Sequence, residues 1–161
     1  MARNLKDVGK NLQKIVLRLE SNQNLLKFLY YTGVDPLSQL DLTKEQIKEE
    51  IFEKLIKVVP NVSSKETAKS ILSIRVLDGK KNSNGEFVNL EIKIDVFVPI
   101  LQWKVNNENL RPFCIMGEIE TSLDGRTVDG LGRMENYGFE LSYLTDDMSC
   151  YTMSYGITIY D

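Results

Sequence analysis

The chain has 161 residues, 42% of them hydrophobic, and a net charge of −3 from 20 Lys and Arg against 23 Asp and Glu. That is the size of one domain, with enough apolar residues to bury about two-thirds of its unfolded surface. The charges alternate in sign, which argues against sequence-specific or duplex nucleic acid as a direct partner, and the lack of any histidine removes Ser-His, Cys-His and zinc-His chemistry.

The opening MARNLKDVGK has charges where a signal peptide needs an apolar core, and no apolar run reaches the ~18 residues of a membrane span. A cytoplasmic origin without a membrane partner is expected. Cys114 and Cys150 lack CxxC spacing and read as two buried, reduced thiols.

From Leu5 to about Tyr31, apolar residues recur at three and four: Leu5, Val8, Leu12, Ile15, Val16 and Leu19, then Leu25, Leu26, Leu29 and Tyr30. This is one long helix or two abutting ones, with Ser21 and Asn22 as the natural break. Gly33, Asp35 and Pro36 make Thr32 to Asp41 an exposed loop. Thr43 and Gln46 have capping-box spacing, and Ile47, Ile51, Leu55 and Ile56 form a stripe, so a further amphipathic helix is expected from Lys44 to about Val58, ended by Pro60.

From Ile71 the period becomes two. Leu72, Ile74 and Val76 alternate with Ser73, Arg75 and Leu77 before a turn-rich stretch, Asp78 to Gly85. Val88, Leu90, Ile92, Ile94, Val96 and Val98 then share one strand face opposite Asn89, Glu91, Lys93 and Asp95, giving a long hairpin packed on one side and wet on the other. Pro112 suits a first helical turn, and Ile115, Ile119 and Leu123 place a helix over Arg111 to Leu123. Gly125, Gly130 and Gly132 make the next dozen residues a long loop. Tyr137, Phe139, Leu141 and Tyr143 share one strand face. Tyr151, Met153, Tyr155, Ile157 and Ile159 continue that pattern after a turn at Thr145 to Asp147.

The fold class is therefore α+β: N-terminal helices, then two long antiparallel β-hairpins separated by a helix, forming a helix-flanked sheet. Residues 1–161 read as one domain, with a helical part at 1–60 and a hairpin, helix and hairpin part at 68–161.

Few constellations point to chemistry. Asp78 with Glu91-Ile92-Lys93 has the residue pattern of PD-(D/E)xK nucleases, in which an acidic pair holds Mg²⁺ and a lysine helps activate water, but Leu77 stands where that pattern has proline. On a wet strand face the same residues are ordinary solvated charges. Glu118 and Glu120, two apart on a helix, point in different directions and read as salt-pairing residues. Gly130-Leu131-Gly132 runs from helix to strand, the reverse of a phosphate-cradling loop. The seven tyrosines are core-packing residues in the first instance, and edge tyrosines with Trp103 are candidate interface anchors.

The order of elements resembles the tail terminator and tail-completion proteins of tailed bacteriophages. The residues that carry the likeness are LLKFLYYTGVDPLSQ, the strand VNLEIKIDVFV with Trp103 beyond it, the helix from Pro112 to Leu123, the loop LDGRTVDGLGRMEN and the Tyr-rich hairpin closing in ITIYD. The resemblance implies a structural virion protein without catalytic residues, cofactor or metal. It would form a homo-oligomeric ring of about six subunits that caps the tail tube at the neck, and would be assembled in the host cytoplasm. Partners would be the ring neighbours, the tail tube and the neck or head-completion proteins. Contacts are then expected at Thr32 to Asp41, at the hairpin tip Lys80 to Glu86 and at Gly125 to Asn136, with Asp35, Pro36, Asn84, Trp103, Arg126, Asp129 and Arg133 as candidate interface residues. Another neck or head-completion (connector) protein, or a small Mg-dependent PD-(D/E)xK-like nuclease, are the alternatives.

Overall fold

In a computed structural model, the described residues are 4–58 and 69–158. Helix α1 (Leu5–Glu20) starts at Asn4, whose side chain accepts the Asp7 N–H at 3.1 Å, and buries Val8, Ile15, Val16 and Leu19. The break falls where the poor helix formers stand. Asn22 caps α2 (Gln23–Tyr30) by accepting the Leu25 N–H at 3.0 Å, while its amide nitrogen donates to the Glu118 carboxylate at 3.0 Å and to Ser122 at 2.9 Å. One asparagine thus starts a helix and fastens it to another. Glu118 finds its partner within the chain.

The helix expected from Lys44 to Val58 is much shorter. Thr43 and Gln46 do form a capping box, but α3 (Lys44–Gln46) widens into a π-helical turn, Ile47–Ile51, and the chain leaves the helix at Phe52. Glu53 takes a positive φ of 56° and β1 (Ile56–Lys57) pairs in parallel with the next strand. The segment from Leu55 to Val58, three apolar residues around Lys57, fits strand as well as helix, and the backbone bond from Leu72 N–H to the Leu55 carbonyl, 2.7 Å, decides it. The terminating role assigned to Pro60, and Ile159 at the end of the last strand, lie outside the described residues.

Four long strands make the body of the sheet: β2 (Ile71–Lys81), β3 (Phe87–Pro99), β7 (Gly132–Leu144) and β8 (Met148–Thr158). Between them lie a small hairpin of β4 (Lys104–Val105) and β5 (Asn109–Leu110), helix α4 (Arg111–Leu123) and β6 (Thr127–Val128). The sheet order is β1-β2-β3-β8-β7-β6, antiparallel throughout except for β1 with β2. The two hairpins therefore meet through β3 and β8. β2 runs on to Lys81 through a bulge after Val76, so the turn is confined to Asn82–Glu86 and the turn expected from Asp78 begins too early.

Register explains the faces. Leu72, Val96 and Tyr151 lie in one row and Ile74, Ile94 and Met153 in the next, all facing the helices. The opposite face is polar but tied together. Arg75 Nε donates to Asp95 at 2.8 Å, Thr152 donates to the same carboxylate at 2.7 Å, and the Ser142 and Thr152 hydroxyls are 2.8 Å apart. The charge-assisted bonds to Asp95 join β2, β3 and β8, and the neutral hydroxyl pair adds β7, so four neighbouring strands are tied in register.

The glycine-bearing segment expected as a long loop is a tight hairpin instead. β6 pairs with the start of β7 around Asp129–Leu131, and the Gly130 carbonyl accepts from Asn11 at 3.0 Å. Gly132, at φ 114°, lies so close to the Thr158 carbonyl that a Cβ would sit 2.5 Å from it. The glycines serve close approach here, not looseness.

Candidate interaction surface

The most constrained point in the fold is Arg111, which is fully buried. Among the described residues its guanidinium donates to four backbone carbonyls: Gln102 at 2.8 Å, Phe28 at 2.7 Å, Tyr31 at 2.9 Å and Gly33 at 2.5 Å. Phe28 and Tyr31 close α2, so the cation sits at the negative end of a helix dipole. Burial lowers the Arg111 pKa from its ordinary value, with the nearby Cys114 opposing, and pushes the Cys114 thiol up.

Arg111 therefore pins the segment that carries Asp35 and Pro36 to the start of α4. Further ties follow along that segment: Asn106 N–H to the Val34 carbonyl at 2.7 Å, Lys27 to Asp41 at 2.7 Å and the Tyr31 hydroxyl to the Leu40 carbonyl at 2.8 Å. The loop is exposed yet held in shape. Between it, the β4–β5 hairpin and α4 lies a groove of about 470 Å³, lined by Val34, Pro36, Val105, Phe113 and Gly117.

Beyond Phe113 the apolar surface continues onto the sheet. Phe113, Phe139 and Tyr151 form a triangle of rings, with centroids 5.8, 5.3 and 5.9 Å apart. Phe113 is 40% exposed, Phe139 55% and Leu141 47%, although strand alternation alone assigns Phe139 and Leu141 to the core face. They are on the helix-side face, where the first turn of α4 reaches Phe139 through Phe113 but leaves both strand residues about half exposed. Tyr137 departs from the expected pattern in another way. A bulge between Asn136 and Gly138 turns its ring onto the opposite face, over Gly156.

The outer edge of β7 is open alongside this apolar strip. β6 and the preceding turn occupy it as far as Asn136, whose N–H goes to Asp124 at 2.8 Å; from Tyr137 to Leu144 no described residue pairs with it. A long strand edge with exposed aromatic neighbours is a ready site for pairing with another chain.

The residues singled out from sequence are dispersed over the molecule. Asp35 is exposed and Pro36 buried at one end of the groove, and Asn84 is exposed at the β2–β3 tip. Trp103 is partly buried, donating to the Ser149 hydroxyl at 2.9 Å and packing beside Tyr151. Arg126, Asp129 and Arg133 are exposed around the β6–β7 hairpin, with Asp129 3.2 Å from Lys14. Asp78 and Glu91 are cross-strand partners beside a cleft of about 350 Å³, and Lys93 is engaged, 3.2 Å from Glu91 and 2.6 Å from the Ser154 hydroxyl. Among the described residues no three acidic or Cys side chains converge in a metal-binding group. Arg111, Phe113, Phe139 and Leu141 were not legible as site residues, because their roles depend on which elements cover them.

A family model for YomW matches residues 22–157, which span the last turn-and-cap residue before α2 through nearly all of β8. The chain belongs to the YomW family. This family is phage-derived, of SPbeta prophage type, so the protein is phage-associated and belongs to a virion or a phage-infected host. No curated protein matches the chain. Among the described residues of this YomW protein, no helix is long and apolar enough to cross a membrane.

Proposed function

We propose that this YomW chain is a non-enzymatic structural subunit of a phage tail, a tail terminator that forms a ring, caps the tail tube and joins it to the head and neck. The observation that carries this reading is the open edge of β7 from Tyr137 to Leu144 beside exposed Phe113, Phe139 and Leu141. Such an edge invites uncontrolled association unless a specific partner covers it. Membership of a phage-derived family supports a virion setting for that partner.

The pinned groove beside Asp35 and Pro36 supplies a second, differently shaped surface, suited to a tube or neck protein while β7 serves the ring. Deleting the gene from a phage or prophage that carries it tests the assignment by electron microscopy of the particles. Tails of uncontrolled length, or capped heads with detached tails, are expected. Normal infectious particles would refute it, and tailless heads alone would move the protein to head completion.

A further inference from the structure

Two stretches of sheet edge lack a strand partner among the described residues, on opposite sides of the sheet. One is Tyr137 to Leu144 on β7. The other is Ile74 to Lys81 on β2, whose lower part is taken by β1 at Leu72 and Ser73. Along the sheet β2, β3, β8 and β7 alternate in direction, so β7 of one copy and β2 of the next are antiparallel whenever all copies point the same way, as in a ring.

The charges of the two edges are opposite. Glu140 lies in the β7 stretch and Asp146 and Asp147 follow it, with no cation among them; the β2 stretch carries Arg75, Lys80 and Lys81 against Asp78. Pairing two β7 edges with each other would set acidic residues near acidic ones. We propose that the β7 edge of one copy adds antiparallel to the β2 edge of a second copy of this chain, and that this head-to-tail contact, repeated, builds the ring; the inference rests on the ring reading above.

Register makes the geometry specific. Gly138 is level with Ser154, Lys93 and Arg75, and Glu140 with Thr152, Asp95 and Ser73. Counted in paired positions, with the bulge after Val76 skipped, Lys80 stands six above Ser73, so Glu140 comes level with Lys80 on the matching face when one copy is displaced by six positions, roughly 20 Å at about 3.3–3.4 Å per residue. The two meet only if each copy is displaced by that amount along the strands. Four strands span about 19 Å, so the displacement corresponds to strands tilted about 46° from the ring axis, at the upper end of the roughly 35–45° of closed barrels. β1 and β6 act as stops that fix the offset.

Charge reversal tests the contact, with molar mass by light scattering as the readout and circular dichroism confirming the fold. Glu140, Lys80 and Lys81 are all exposed. Glu140→Lys alone and Lys80→Glu with Lys81→Glu alone should each raise the assembly midpoint about tenfold. Combining all three in one chain should restore it, as should an equimolar mixture of the two variants, in which each altered edge meets a complementary one. Dissociation without rescue in the combined chain would overturn the β7–β2 contact, and so would rings that persist unchanged in every variant, while leaving the ring reading intact. A wild-type protein that never exceeds a monomer would instead remove the ring reading itself.

Discussion

Replacing Arg111 by Met deletes a buried cation whose partners among the described residues are four backbone carbonyls, at 2.5 to 2.9 Å. Each bond from a charged donor is worth about 1.5–3 kcal/mol, and relief of the guanidinium's burial offsets part of the sum. Each buried carbonyl left without a donor costs about 1–3 kcal/mol, so a net loss of about 3–5 kcal/mol is expected once that relief is counted. With a urea slope of about 2 kcal/mol per M, the unfolding midpoint of Arg111→Met should fall by roughly 1.5–2.5 M at unchanged slope. Arg111→Lys keeps the charge but not the planar fork that reaches Gln102, Phe28, Tyr31 and Gly33 together, so about 2 kcal/mol is expected. Amide exchange supplies the local readout, because the Asn106 N–H bonded to Val34 should exchange faster once the loop is unpinned. A midpoint loss equivalent to less than about 1 kcal/mol, with Asn106 still protected, would refute the pin.

Other perturbations follow from the same geometry. Tyr155 is buried with no hydrogen-bond partner for its hydroxyl among the described residues, so Tyr155→Phe should leave stability unchanged or raise it by up to about 1 kcal/mol in urea titration at neutral pH. Burial also raises Cys150 and Tyr155 above their ordinary 9.0 and 10.0, so the unfolded chain loses those protons first; stability should decline as pH rises past about 9, and the decline should flatten in Tyr155→Phe. Gly132→Ala would force a Cβ to within 2.5 Å of the Thr158 carbonyl at a φ of 114°, and should cost about 2–3 kcal/mol in the same assay. Phe139→Asp, on a half-exposed ring, should weaken self-association while lowering the unfolding free energy by about 1 kcal/mol or less.

The sequence was most legible where one local signal had no competitor. The break at Ser21 and Asn22, the span of α4 and the alternation through Ile92, Ile94 and Val96 all rest on caps or periodicity that tertiary contacts reinforce. Leu55 to Val58 was ambiguous because so short a segment, apolar except at Lys57, satisfies both periods, and the bond from Leu72 to Leu55 is a contact between distant segments. Gly130 and Gly132 looked like freedom and proved to be close packing against Asn11 and Thr158, which no local pattern encodes. The bulges at Tyr137 and Ser142 likewise move side chains between faces in ways that simple alternation cannot follow. The exposure of Phe139 and Leu141 depends on where the helices stop. That is why the interaction surface emerged from the fold and not from the strand pattern.

Self-assembly is the central claim, and the molar mass of the purified wild-type chain across a concentration series, measured by light scattering, tests it most directly. A rise from monomer to one closed species of about six chains, with no larger ladder of masses, is the predicted result. A mass that stays at one chain up to the highest concentration, or grows without limit, would contradict it.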